Sequence, residues 1–581
     1  MISFGRELKN YEFASKREFV MVSGNAYCSS SLAGNTRKYH GLLVYSNRVY
    51  LSALDELVNG KRISVASYVE KLCDDGLKHL QVFNLYPPEF HYFVDGVLVR
   101  KTISFDKLLR IRYDVLGEAE IKVYPLVTDR SFHETRKTFE FKQKRIENGF
   151  EVGSLRITSN MDVCENPDIY WNVFYERDYE RGYECVENLY TPGFFYSKVR
   201  DSSVEIVAEI KAGETENTNE KEGKEMKLKK KQIRKKQKNK VPKSPIECLE
   251  LAADSFLVEG AIYAGYHWFA EAWGRDAFVS LPGLLLERRK FGEAKDVFRF
   301  FAKRMRNGII PNRVPNSYNS SDASLWFIYA LSKYFEYKQD REFLSEIKPY
   351  VEEILFNYPE SDVARLDGHL ISVKACSTWM DTRFTPREGK PIEVNALWIS
   401  SLDFARKIGL DLHSPEKAKR EFERFWNPEK NCFYDVIDPL DDSIRPNQVI
   451  AIALGLIEKD KAVKALEIVK EKLLTPYGLR TLSPDDKRYK GKYCGDESYH
   501  NGCVWPWLMG FYIEALIRLK EPREKFRFLL APLLEHVREA GLGTISEIFD
   551  GDSPYEPNGC ISQAWSVAEV LRAYKMLQKC C

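Results

Sequence analysis

Residues 497–519 read ESYHNGCVWPWLMGFYIEALIRL. A polar and aromatic cluster runs into a helical segment, starting near Val504, that is apolar on nearly every side, as a buried helix is. The same two-part pattern recurs along the second half of the chain. YHWFAEAWGRD (266–276) leads into a helix from Ala277, and RVPNSYNSSDASLW (313–326) into one from Ala323. STWMDTRFTPREGKPIEVNALW (377–398) leads into one from Ile392, IRPNQ (444–448) into one from Gln448, and GTISEIFDGDSPYEPNGCISQAW (543–565) into one from Ser562. Helices of another kind lie between them, beginning near Ile246, Phe291, Arg341, Pro415, Lys459 and Lys525. GEAKDVFRFFAKRMR (292–306) is typical: one apolar stripe, one charged face, hence a surface helix. Six outer helices alternating with six inner ones predict an (α/α)6 toroid over 245–581. In such a ring all inner helices run the same way, so the six polar clusters converge on one end.

Working outward, the first 210 residues change period. Runs such as HYFVDGVLVRKTISF (91–105) and LLRIRYDV (108–115) alternate apolar and polar side chains and are cut by Gly, Asn, Asp or Pro. Many short strands at close spacing predict an antiparallel β-sandwich over 1–210. The expected fold is therefore α+β multidomain, a sandwich followed by a toroid. Between the two, 211–244 is poor in large apolar residues, and Lys227–Lys243 holds ten Lys/Arg and no acid. A charge run of this kind is read either as a nucleic-acid or targeting tail or as a solvated linker. Its place, where strand periodicity stops and helical periodicity begins, makes it a linker.

Composition narrows the functional class. A net charge of +2 over 581 residues is not that of a polyanion binder, so no nucleic-acid partner is expected. No apolar run approaches the ~18 residues of a membrane span, and Met1–Asn10 carries no apolar leader core. The twelve cysteines are irregularly spaced and include no C-x-x-C pair, so reduced thiols are expected, with no zinc site and no cofactor. These features together point to a soluble, cytoplasmic protein; oligomeric state is left open.

The expected rim collects Trp268, Trp273, Trp326, Trp379, Trp398, Trp505, Trp507 and Trp565 among Asp, Glu, Arg, Asn and Gln. Aromatic faces suit the C–H faces of sugar rings, and planar polar groups replace the water that sugar hydroxyls lose on binding. The Gly-rich turns and clustered Lys of a phosphate cradle are absent. Any one of these tryptophans alone is more often a core residue than a ligand, but eight at one rim, each near a polar motif, invert those odds for the set.

With these motifs the chain resembles the amylo-α-1,6-glucosidase domain of glycogen debranching enzymes, through WGRD (273–276), DASLWF (322–327), TWMD with TPREGKPIEVNALW (378–398), RPNQ (445–448), YHNGCVWPWL (499–508), SEIFDGDSP (546–554) and GCISQAWSVAEVLR (559–572). GNAYCSSSLAGNTRKYHGLLV (24–44) resembles the N-terminal domain that accompanies it in archaeal and bacterial members. The resemblance implies an inverting glucosidase acting on α-1,6 branch points of glycogen or a related α-glucan. Such a reaction needs two carboxyls flanking the scissile bond. The resemblance implies Asp381 as general acid and Glu547 as general base; the residues alone leave Asp276, Glu393 and Glu497 open as the acid. Arg275 and Asp276 resemble the glucose clamp of glucoamylase-like toroids, or are an ion pair at a helix start. Trp379, Trp505 and Trp507 are expected stacking platforms. Asp322, Glu393, Asn395, His500 and Gln563 are expected to contact sugar or support those that do. Arg37–His40 either lines a domain interface or braces the sandwich. Nothing matches the transferase barrel of eukaryotic debranching enzymes, and the short Thr382–Phe384 stretch is expected to shape the leaving-group side. Three alternatives remain: an exo-acting α-1,4-glucosidase, a disaccharide phosphorylase and a non-catalytic glycogen-binding protein.

Overall fold

A computed structural model describes residues 2–106, 108–140, 142–211 and 241–579; all but the ends of the expected 211–244 linker lie outside them. The chain forms two compact units, Met1–Cys248 with Arg538–Gly543, and Leu249–Val537 with Thr544–Cys581.

The first unit is rich in antiparallel sheet. Among the described residues it has one nine-stranded and one ten-stranded sheet. Alternation explains the local structure. Val97–Phe105 pairs with Leu109–Leu116, and Val99, Lys101 and Ile103 point inward opposite Val115, Tyr113 and Ile111 while Arg100 and Arg112 face outward. The sheets meet through aromatic rings: Phe19 of one lies 6.3 Å from both Phe83 and Phe90 of the other, and Phe195 lies 5.5 Å from Phe150. Residues 538–543, expected to be part of the toroid, belong here. They run beside Glu18, with backbone bonds Glu18 N–H to Ala540 O (2.8 Å) and Leu542 N–H to Glu18 O (2.8 Å), and so cover a strand edge.

The second unit is helical. In chain order its main helices are α1 (Pro245–Ser255), α2 (Gly274–Leu281), α3 (Phe291–Ala302), α4 (Ala323–Lys338), α5 (Arg341–Asn357), α6 (Ile392–Lys407), α7 (Pro415–Phe422), α8 (Gln448–Ala453), α9 (Lys459–Lys472), α10 (Leu508–Arg518), α11 (Ala531–Glu535) and α12 (Ala564–Gln578). Ser414 caps α7 through the Lys417 amide with Pro415 in its first turn, and Asp340 caps α5 through Phe343. On α3 only Ala294, Val297, Phe298, Phe301 and Ala302 are buried, a single stripe; α4 buries every residue from Ala323 to Leu331. The even-numbered helices touch in sequence, α2 to α4, α6, α8, α10 and α12, and α12 touches α2 again. None of the described helices is long and apolar enough to cross a membrane.

Two expected helices differ. The segment from Val504 begins as a strand, Val504–Trp505 pairing with Leu479 and Arg480, and turns helical only at Leu508. Pro506 explains this: it has no N–H for a ladder or a helix interior and biases the preceding residue towards extended backbone. The segment from Lys525 breaks into short 3-10 turns before α11, where Pro532 occupies the first turn.

Candidate active site

The side chains of interest sit at the N-terminal ends of the even-numbered helices and in the loops before them. Trp273 is extended, and Gly274 starts α2 where the chain passes tightly under the loop before α4. A Cβ at Gly274 would lie 2.4 Å from the Pro311 carbonyl, so only glycine lets the backbone approach. The next residue, Arg275, is buried. Its Nε donates to Asp322 Oδ1 (2.7 Å), and its terminal nitrogens reach Ser320 Oγ (3.2 Å), the Thr378 carbonyl (2.9 Å) and Asp381 Oδ2 (3.4 Å). One guanidinium therefore ties α2, the cap of α4 and the loop that carries Asp381.

Asp276 is 5% exposed and accepts a bond from Gln563 Nε2 at 3.2 Å. Burial pushes its carboxyl up to about 7; Arg275 opposes the rise, and the charges of Glu547 and Asp381 add to it. Asp381 is more open, with 37% of its side chain exposed. Its carboxyl is also raised, chiefly by desolvation and further by Asp322, with Arg275 pulling the other way. Glu547 is 2% exposed. Its amide bonds the Cys560 carbonyl (2.8 Å), and its carboxylate accepts from the Cys560 amide (2.8 Å) and the Tyr499 hydroxyl. Gly559, at φ +69°, makes room, since a Cβ there would lie 2.3 Å from Glu547 Oε2. Asp276, Asp381 and Glu547 come from segments far apart in sequence, and Asp276 lies within electrostatic reach of both others. Asp322 stays in the same cluster, and its Oδ2 is buried with no protein partner among the described residues.

The three tryptophans expected as stacking platforms are 0–2% exposed, and their rings pack against other aromatic rings. Trp379 stands edge-on to Trp505 (5.4 Å) and Trp507 (5.1 Å), and Trp507 stacks on Trp565 (5.2 Å). They form a wall, keyed by a Trp379 Nε1 bond to Asn447 (2.7 Å). His500 stacks on Trp505 at 5.5 Å, with neither ring nitrogen partnered among the described residues. Burial, with Arg445, Arg275 and Arg387 nearby, holds it well below the usual imidazole range and therefore neutral.

Glu393 and Asn395 are committed elsewhere. Glu393 accepts both terminal nitrogens of Arg387 (2.5 and 2.7 Å), and Arg387 also grips Asp435 (2.6 and 3.0 Å) and Thr378 Oγ1 (3.1 Å). Burial pushes Glu393 up, and the two-point guanidinium contact opposes it. Asn395 closes on the backbone of Ile371 and Pro391. Both residues support the Asp381 loop from behind. Glu497 is half-exposed and pairs with Lys490 at 3.2 Å.

Sequence reasoning passed over Tyr499, Arg387, Asp435 and Asn312. Tyr499 lay in a cluster already singled out, and the Asn/Ser density of 312–321 was the available signal for Asn312. Arg387 lay in the TPREGKPIEVNALW motif without being singled out, and Asp435 had no local signal.

Comparison with known proteins follows this geometry. A family model described as Amylo-alpha-1,6-glucosidase matches residues 251–572, and one described as Glycogen debranching enzyme N terminal matches residues 23–204. The glycogen debranching enzyme of Saccharomyces cerevisiae is 26% identical over 42% of this chain and 24% of the yeast protein, so the chain spans about a quarter of the length of that curated relative. A bacterial glucoamylase solved in complex with acarbose superposes with a TM-score of 0.58 at 13% identity, covering 98% of this chain and 93% of the other, which is a likeness of fold.

Proposed function

We propose that this chain, which belongs to the amylo-alpha-1,6-glucosidase family, is an inverting glucosidase that releases single glucose units from α-1,6 branch points of glycogen or a related α-glucan. The ring of even-numbered helices supports reading the second unit as a six-hairpin toroid, and the two aromatic-linked sheets support a sandwich for the first. One observation carries the functional reading: Asp276 and Asp381 share the Arg275 guanidinium, Asp276 also feels the charge of Glu547, and the more open Asp381 has its proton affinity raised.

In the proposed reaction, Asp381 gives its proton to the bridging O6 as the C1–O6 bond breaks. Glu547 takes a proton from the water that attacks C1 from the opposite face, yielding β-glucose and a free 6-hydroxyl on the glucan. The Tyr499 hydroxyl and Cys560 amide hold the Glu547 carboxylate in position. Arg275 and Asp276, with Gln563 behind, are placed to receive hydroxyls of the departing glucose. The test is glucose release from phosphorylase limit dextrin after glucanotransferase treatment, with the first anomer read by NMR. β-Glucose is expected; α-glucose would overturn the mechanism, and preference for maltotriose over a 6-O-α-glucosyl dextrin would overturn the linkage.

A second donor assignment has its own observation: burial raises Asp276 to about 7, so part of the population carries its proton at neutral pH. Glucosyl fluoride separates the two, because fluoride leaves with little protonation. Rescue of Asp381→Asn by the fluoride, without rescue of Asp276→Asn, is the expected result; the reverse exchanges their roles.

A further inference from the structure

Beside Asp381 lies a depression of about 560 Å³, lined by Trp273, Asn312, Arg313, Asn316, Ser317 and Asn319 together with Pro315. This volume is in the usual range of small-molecule clefts. Asp381 is the only member of the carboxyl cluster on its surface. Asp276, Glu547 and Gln563 are buried at 5%, 2% and 1%, whereas Asp381 keeps a third of its side chain open. The site thus has depth, with the group assigned to the leaving oxygen at its mouth. A glucose unit held by the deeper residues leaves its remaining chain in the depression.

Two buried polar groups there have no hydrogen-bond partner among the described residues. Asn312 is 2% exposed; its amide nitrogen reaches Asn319 Oδ1 (3.4 Å), but its own Oδ1 is buried without a partner among the described residues. The buried Nε1 of Trp273 is likewise unpartnered among them, although the ring itself is partly open. A buried acceptor and a buried donor left unsatisfied are costly and uncommon unless something else completes them. Their backbone is held firmly. Gly274 N–H bonds the Asn312 carbonyl (2.9 Å), Asn312 N–H bonds the Ser317 carbonyl (2.7 Å), and Trp273 bridges Arg313. Arg313 is drawn to Glu271 (3.2 Å) and stands over the Trp273 ring.

We infer that this depression seats the glucosyl residue on the leaving-group side of the scissile bond, with Asn312 Oδ1 accepting from one of its hydroxyls and Trp273 Nε1 donating to another, so that these two residues set the preference for a branched glucan. The inference rests on the catalytic reading above. It also assigns sugar contact to Trp273, in place of the mutually packed Trp379, Trp505 and Trp507.

The experiment compares full-length Asn312→Ala and Trp273→Phe on two substrates: a 6-O-α-glucosyl dextrin, which has a leaving sugar, and α-glucosyl fluoride, which has none. On the dextrin, kcat/KM should fall by about tenfold or more for Asn312→Ala and several-fold for Trp273→Phe. On the fluoride both variants should stay within about twofold of the parent. An equal fall on both substrates, or none on either, overturns the inference. Trp273→Phe decides the matter if Asn312→Ala fails to fold, since it keeps an aromatic ring and removes only the indole donor. A parent protein inactive on both substrates would instead overturn the catalytic reading.

Discussion

Arg387 and Arg275 each gather buried carboxylates in the helical unit, and the clusters around them differ in charge balance. Arg387 holds Glu393 and Asp435 by paired bonds, and a second guanidinium, Arg445, lies 3.8 Å from Asp435. Two cations there answer two acids. Arg275 has Asp322 at 2.7 Å and Asp381 at 3.4 Å, and Asp276 lies in the same electrostatic neighbourhood. Among the described residues, one cation there answers three carboxyls. Burial raises Asp276 to about 7 and raises Asp381, and the neighbouring carboxyl charges add to both rises. Balanced charge with every oxygen bonded is what a structural support requires. Unbalanced charge, an Asp322 Oδ2 with no partner among the described residues and one open acid suit the proton transfer proposed above.

The largest effect expected from this contrast is kinetic. Glu547→Gln should lower glucose release by about 10²–10⁴-fold while leaving glucan binding measurable by calorimetry. Turnover surviving the change would remove Glu547 from the reaction and break the comparison at its catalytic end. The next effect is on stability. Arg387→Met strands two buried carboxylates, and denaturant melts should show a loss of about 3–5 kcal/mol; a near-neutral result would mean the Arg387 cluster is not the support described here.

A smaller, pH-dependent effect follows from Asp276. Its carboxyl is raised to about 7 from an ordinary 3.8, so folding favours its protonated form. The stability it contributes is complete below about pH 4 and is lost as pH rises through 7. Asp276→Asn, neutral at every pH, should therefore gain in Tm relative to the parent between pH 5 and 8.5, with a ceiling of roughly 4 kcal/mol for a three-unit shift. A difference that does not change with pH would show that Asp276 is ionised throughout. The smallest effect is expected at Glu497, exposed and paired only with Lys490. Glu497→Gln should change stability by less than about 0.5 kcal/mol and leave glucose release intact; a loss of turnover would reopen it as the acid.

Much of this organisation was legible in the amino-acid order. Helix starts at Phe291, Arg341, Ile392 and Pro415 were readable because apolar spacing and caps such as Ser414 are properties of a few consecutive residues. Pro506 shows the limit of reading period alone. Apolar content across 504–519 is continuous, yet the helix waits until Leu508 because backbone chemistry overrides the pattern. The polar clusters before the even-numbered helices were legible as a set, and Arg275, Asp276, Asp322, Asp381, Glu547 and Gln563 do gather there.

The amino-acid sequence by itself determined the change from strand to helix periodicity, the alternation of exposed and buried helices, and the segments from which a site would be built, since these depend on local spacing and on which side chains avoid water. Only the tertiary structure decided which carboxylates share a cation and which are left in deficit, because Arg387 meets Asp435 across 48 residues and Gln563 meets Asp276 across 287. It also decided that Trp379, Trp505 and Trp507 are covered by neighbouring aromatic rings while Trp273 stays partly open, since the exposure of a ring depends on which other segments pack against it.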